Sequence, residues 1–132
     1  MNRDRFLAGI FTPPDVNIWE HERKTATTLA KAGFNVIFRK ASNRFKEQSA
    51  DCYINGELWE LKAPDGKTLK SVERNLKRGR WQSSKIVFDT HRMSGVPDHA
   101  ILREIRTKIQ IVKRVDVVKF IDKRRNIIDI TK

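Results

Sequence analysis

A mixed β-sheet flanked by α-helices is the fold class that this 132-residue sequence predicts. Segments with apolar residues at helical spacing alternate with short β-branched runs, which is an α/β or α+β pattern rather than a bundle or a sandwich. Asn55-Gly56 sits between two alternating segments, a strong short-range hairpin sign because both turn residues must reach positive φ. The length suits one ordinary domain with a real core, and 39% apolar with 33% charged residues describes a globular, heavily solvated chain.

The elements follow in order. Residues 1–16 are expected to be a loosely attached arm, since Pro13-Pro14 forbids helix and favours extended backbone. Residues 17–132 form the single domain. Asn17 as N-cap, with Glu20 three residues on, makes a capping-box pattern. The helix it opens runs to about Ala32, with Gly33 as its C′ stop and Trp19, Glu22, Ala26, Leu29, Ala30 and Gly33 along its inward stripe. Phe34 to Arg39 is a strand in which Val36 and Phe38 alternate, and Ala41 to Ser49 is a polar loop. The hairpin occupies 51–54 and 57–62, and Ala63-Pro64-Asp65-Gly66 ends it in turn chemistry. A second helix spans Thr68 to Arg80 on the stripe Leu69, Val72 and Leu76. Ile86-Val87-Phe88 is a short buried strand. A third helix spans Asp98 to about Ile109, with Ile101, Leu102, Ile105 and Ile109 inward. Strands Val115–Ile121 and Asn126–Ile130 close the order α-β-β-β-α-β-α-β-β.

Composition narrows the function. Lys and Arg total 28 against 16 Asp and Glu, a formal charge of +12, and in so small a domain that points to a polyanionic partner, nucleic acid first. A single cysteine, Cys52, excludes an intramolecular disulfide framework and a Cys-rich zinc site. No apolar run is long enough to span a membrane, and Met1 to Phe11 lacks the apolar core of a signal peptide.

The hairpin carries the chemistry. A two-residue turn at Asn55-Gly56 sets Ile54 opposite Glu57, Tyr53 opposite Leu58, Cys52 opposite Trp59 and Asp51 opposite Glu60. Lys62 then shares the face of Glu60, while Cys52 and Trp59 point to the other face as core. Like charges directly opposite on a hairpin are destabilising, and a divalent cation between Asp51 and Glu60 is the simplest explanation. Glu22 falls among core positions of the first helix, where a carboxylate costs several kcal/mol, of that order, unless paired or ligating a metal. It is either a buried partner of an Arg or Lys, or a third carboxylate directed at the hairpin face. Oxygen ligands of this kind favour Mg²⁺ or Mn²⁺, with Zn²⁺ possible, and the set suits phosphodiester hydrolysis, with Lys62 orienting water or stabilising developing charge.

These residues resemble the PD-(D/E)XK nuclease superfamily, and more narrowly the C-terminal tRNA nuclease toxin domains of bacterial contact-dependent growth inhibition (CdiA-type) systems. The resemblance lies in His21-Glu22 with Thr25-Ala26, in Asp51 through Lys62 with its Leu58-Trp59-Glu60-Leu61-Lys62 core, and in Asn75 to Gly79 leading to Gln82-Ser83. Ala50 stands where the superfamily usually has proline before the first acid. The resemblance implies a restriction-endonuclease-like core, Asp51, Glu60 and Glu22 as metal ligands, Lys62 as catalytic lysine and Gln82 as a further catalytic residue. It implies a tRNA-cleaving toxin acting in the cytoplasm of a target bacterium and held in check by a cognate immunity protein.

Lys70, Arg74, Lys77, Arg78 and Arg80 on the second helix are expected to contact phosphates, with Gly79 allowing close backbone approach. Gln82, Ser83 and Ser84 are either site residues or a polar cap; Trp59 and Trp81 are expected in the core. His21, His91 and His99 lack metal-ligand spacing, although His91, following a strand, leaves room for a histidine-based ribonuclease. Two further functions fit the same residues: a DNA endonuclease of the same fold, and a non-catalytic basic module that binds nucleic acid.

Overall fold

The computed structural model describes residues 6–39 and 51–132, and of Asp51 the backbone alone. The loop expected over 41–49 lies outside the described residues. The elements are β1 (Gly9–Phe11), α1 (Glu20–Lys31), β2 (Asn35–Phe38), β3 (Asp51–Ile54), β4 (Glu57–Lys62), α2 (Lys70–Gly79), β5 (Lys85–Asp89), α3 (Asp98–Lys108), β6 (Val117–Ile121) and β7 (Ile127–Thr131). The strands form one seven-stranded sheet in chain order. Pairing is antiparallel from β2 through β4 and between β6 and β7, and parallel for β1 with β2 and along β4, β5 and β6. The expected mixed sheet flanked by helices is the observed architecture.

Of the three parallel crossovers, β1 to β2 carries α1, while β4 to β5 and β5 to β6 carry α2 and α3, and these last two helices cover the same face. Val72 and Leu76 of α2 and Ile101 and Ile105 of α3 pack on Ile86, Phe88, Val118 and Phe120. Strand alternation sends Val87, Leu61, Trp59 and Cys52 to the opposite face, where Ala26 and Leu29 of α1 close a second core. The single cysteine is buried there, as a small apolar residue would be.

The hairpin takes the register set by its turn. Asn55 (φ 48°) and Gly56 (φ 84°) both adopt the left-handed conformation, and Asp51 pairs with Glu60, Cys52 with Trp59, Tyr53 with Leu58 and Ile54 with Glu57. Asn55 also ties the turn to β2: its N–H donates to Asn35 O and its Oδ1 accepts from Asn35 N, both at 2.9 Å.

The structure corrects the N-terminal part of the chain. Residues 9–11, expected within a loose arm, form β1: Gly9 N–H donates to Phe34 O at 3.1 Å and Asn35 Nδ2 donates to Leu7 O at 2.8 Å. Helix α1 begins at Glu20, with Trp19 rather than Asn17 as its N-cap. Glu22, not Glu20, makes the capping contact, since its Oε1 accepts the Trp19 N–H at 2.9 Å. The later start moves Trp19 off the inward stripe, and it stands 68% exposed against His21. The buried stripe is Glu22, Thr25, Ala26 and Leu29, at spacings of three and four.

The far end of α1 is a Schellman closure. Phe34 N–H donates to Leu29 O and Gly33 N–H to Ala30 O, with Gly33 at φ 101°. Gly33 and Ala30 therefore lie outside the buried stripe. A further correction concerns Trp81: expected in the core, it is 61% exposed, because α2 ends at Gly79 and the chain turns outward before β5. Val115 precedes β6 rather than opening it, yet is fully buried.

Candidate active site on the hairpin and its basic flank

Glu60 lies in mid-strand on the face covered by α2, and it is 1% exposed. Lys62, two residues on, shares that face, and its Nζ stands 3.4 Å from Glu60 Oε2. Asp51 is the register partner of Glu60 across β3 and β4; its side chain lies outside the described residues. Over this face passes the last turn of α2. A Cβ added at Gly79 would meet Ile86 Cδ1 at 3.0 Å, Lys62 Cε at 3.3 Å and Glu60 Cγ at 3.5 Å. The close approach at Gly79 is thus helix to sheet, and brings the helix onto the Glu60–Lys62 pair rather than opening it to substrate.

Helix α1 reaches the same region from the other face. A cleft at the C-terminal end of β4 is lined by His21, Glu22, Lys62, Asn75 and Arg92 among others. Glu22 is 3% exposed and spans helix capping and this cleft. The structure therefore brings Glu22 and Lys62 to one cleft, and Lys62 links it to Glu60, which sits beneath. Gln82 does not line the cleft. It follows α2 with its N–H on Gly79 O, beside Ser83, whose Oγ donates to Leu58 O at 2.9 Å near the opposite end of β4. Ser83 also accepts the Lys85 N–H, so it joins β4 to β5.

Arg92 was not foreseen as a site residue. Its Nε donates to Ala63 O at 2.8 Å, which fixes the guanidinium at the cleft rim. The available signal was positional: in parallel α/β sheets, ligands gather beyond the C-terminal strand ends, and Arg92 follows β5. Burial, and then the Arg92 guanidinium, hold His21 below its ordinary 6.5. Burial likewise holds His91 below 6.5 against the raising effect of Asp89. Both imidazoles are thereby favoured as neutral groups near pH 7. His99 is exposed on α3.

The supporting structure is a buried ion pair. Asp89, fully buried at the end of β5, accepts two bonds from Arg125, at 2.8 Å and 2.7 Å, one from Thr25 Oγ1 at 2.7 Å and one from His91 N at 3.0 Å. Arg125 Nε also donates to Thr28 Oγ1 at 2.9 Å. One guanidinium thus fastens α1 to the end of β5 and sets where Glu22 stands.

The flank of α2 is basic. Lys70, Arg74, Lys77, Arg78 and Arg80 line a surface groove that ends at Trp81. Its acid, Glu73, is engaged by Lys77 at 2.9 Å and Lys108 at 3.4 Å. Hydrogen bonds from these two lysines hold the Glu73 carboxyl below the usual carboxylate range.

The sequence profile of the contact-dependent growth inhibition CdiA C-terminal domain matches residues 47–127. The chain belongs to this family. The matched segment of the CdiA C-terminal domain runs from the hairpin through α2 and α3, and so contains Asp51, Glu60, Lys62 and Gln82 but not Glu22. Among solved structures, the chain is similar to the CdiA-CT/CdiI toxin and immunity complex from Burkholderia pseudomallei, at 22% identity and a TM-score of 0.68, over 94% of this chain and 100% of that one. At that identity the likeness concerns the fold. No curated protein matches the chain.

Proposed function

We propose that this CdiA C-terminal family member is a toxin domain that hydrolyses RNA phosphodiester bonds, tRNA foremost, in the cytoplasm of a target bacterium. The observation that carries this reading is the hairpin register, which sets Asp51 opposite Glu60 with Lys62 3.4 Å from the Glu60 carboxylate. The arrangement has the PD-(D/E)XK order: an acid, then an acid and a lysine two residues apart on the next strand.

Metal fit rests on donor chemistry. Among the described residues no three His, Cys, Asp or Glu gather to hold a metal ion. Glu60 and Glu22 are two of the three proposed ligands, and the Asp51 side chain lies outside the described residues. All three donors are carboxylates, a hard set that fits Mg²⁺ or Mn²⁺ and admits Zn²⁺. Such a cation, when bound, lowers the pKa of water and neutralises charge on phosphoryl oxygens. The protein's own part is positional. Lys62 supplies a cation between the cleft and Glu60, able to hold an attacking water or meet developing negative charge. Arg92 adds positive charge at the rim, the α2 groove receives neighbouring phosphates, and Gln82, held by its N–H on Gly79 O, is the further catalytic residue of this reading.

Incubating the purified domain with total tRNA and with plasmid, each with Mg²⁺, Mn²⁺ or Zn²⁺, tests the proposal. tRNA should be cut and plasmid spared, with Glu60→Gln and Lys62→Ala each lowering the rate, measured well below each variant's Tm, by about 10²-fold or more. Plasmid cleavage would make it a DNA endonuclease. Full activity in excess chelator would remove the metal, and binding without cleavage would leave a non-catalytic module.

A further inference from the structure

A single exposed aromatic residue is ordinary. Trp81 is not in that class, because two guanidinium groups gather on it. Arg80 Cζ lies 4.9 Å and Arg114 Cζ 4.5 Å from the centroid of its ring. Bringing two like charges to one exposed ring is unfavourable without an anion, and the acid of the neighbouring groove is engaged by Lys77 and Lys108 instead.

The cluster is built by turns, not by a frayed surface. Arg114 is a non-glycine residue at φ 75°, a left-handed conformation that bulky side chains rarely adopt. The turn that holds it is pinned to the turn carrying Trp81, since Asp116 N–H donates to Ser84 O at 2.8 Å. Two fully buried residues, Ile109 and Val115, anchor the same turn on either side. The cluster also stands near the proposed chemistry. Gly79 packs so close that a Cβ there would meet Lys62 Cε at 3.3 Å and Glu60 Cγ at 3.5 Å, and two residues of chain from Gly79 to Trp81 span at most about 7 Å.

We propose that Trp81, with Arg80 and Arg114, is a stacking platform for an unpaired nucleotide of the RNA substrate, next to the α2 groove that takes the adjoining phosphates. This deepens the nuclease reading and rests on it. Indole and guanidinium planes both stack on bases, and stacking tolerates any base because each has a π-face. Arg80 Nε is buried, so phosphate would meet the terminal N–H groups of Arg80 and the guanidinium of Arg114, and the cluster combines a sequence-tolerant grip on a base with positive charge. A fully paired duplex keeps its bases stacked on one another and offers this surface nothing but phosphates. The platform therefore selects RNA with unpaired ends or loops.

The test is equilibrium binding by the full chain carrying Glu60→Gln, with fluorescent total tRNA and with a blunt RNA duplex of similar length. Adding Trp81→Ala should weaken tRNA binding by about tenfold or more, leave the duplex within about twofold, and keep Tm unchanged; Trp81→Phe should restore most of the loss. Arg114→Ala should weaken tRNA binding and reduce the salt slope by about one. Trp81→Ala with unchanged tRNA affinity would overturn the platform, as would equal losses on tRNA and duplex, since these make Trp81 a support for phosphate contacts only. RNA affinity retained while affinity for a partner protein falls would reassign the patch to that partner. If cleavage fails but tRNA binding depends on Trp81, the nuclease reading falls and the platform stands; if cleavage holds and Trp81→Ala binds normally, only the platform falls.

Discussion

Arg125 shows how one side chain decides where a site residue stands. It meets Asp89 with two hydrogen bonds and Thr28 with a third, while Asp89 also takes the Thr25 hydroxyl one turn beyond Glu22. Asp89 is fully buried, so removing its cation leaves an uncompensated charge inside the protein. Arg125→Ala should therefore destabilise the domain by about 3–5 kcal/mol in urea unfolding. Arg125→Lys should recover only part, because an ammonium cannot reproduce the bidentate contact. A loss below about 1 kcal/mol for the alanine variant would show that the pair is not a structural clamp. None of this was legible in the sequence, since the partners are 36 residues apart and neither lies on a periodic stripe. Glu22 was legible as an anomaly, a carboxylate at a core position. Its hydrogen bond to Trp19 N–H was not, because Asn17–Glu20 and Trp19–Glu22 share the same spacing and tertiary burial chooses between them.

At the scale of elements, the hairpin was readable in full because its register is set within four residues of the turn. Asn55 and Gly56 reach positive φ, and every cross-strand pair follows. Helix α2 was readable from its apolar stripe, but its exit was not: the outward turn at Trp81 depends on the α3–β6 turn that meets it. The packing of α2 on the hairpin turns on Gly79. Replacing a helical glycine with alanine ordinarily stabilises by about 0.5–1 kcal/mol. Here the new Cβ would lie 3.0 Å from Cδ1 of Ile86, a fully buried residue with no room to retreat. Gly79→Ala should forgo that gain, and Gly79→Val should destabilise by about 1–3 kcal/mol through overpacking. Because the same Cβ lies 3.3 Å from Lys62 Cε and in contact with Glu60 Cγ at 3.5 Å, the added methyls of the valine variant should lower cleavage more steeply than stability, measured below its Tm. An alanine variant stabilised by about 1 kcal/mol would show that α2 stands clear of the sheet.

For the whole molecule, the strands were legible except at the N-terminal edge, and the order and direction in which they pair were legible only at the hairpin. Three residues, Gly9–Phe11, carry too little pattern to announce a strand, and their partner β2 lies beyond the whole of α1. Net charge was legible at once, and it bears on partners as well as substrate. A formal charge of +12 on 132 residues gives a field that attracts any acidic macromolecule. A toxin domain needs restraint in the cell that makes it, and the structure of similar fold is a toxin and immunity complex. An acidic immunity protein would match the basic α2 flank and cover the approach to the Glu60–Lys62 pair. The product of the neighbouring gene should accordingly form an equimolar complex with this domain and suppress tRNA cleavage. Its association rate should fall steeply with ionic strength, as electrostatic steering is screened within about 10 Å at 0.1 M salt, while dissociation changes less. Stopped-flow mixing across a salt series separates the two rates. Absence of a complex would refute the partner, and a salt-independent association rate would mean that recognition relies on shape and apolar contact instead of this charge.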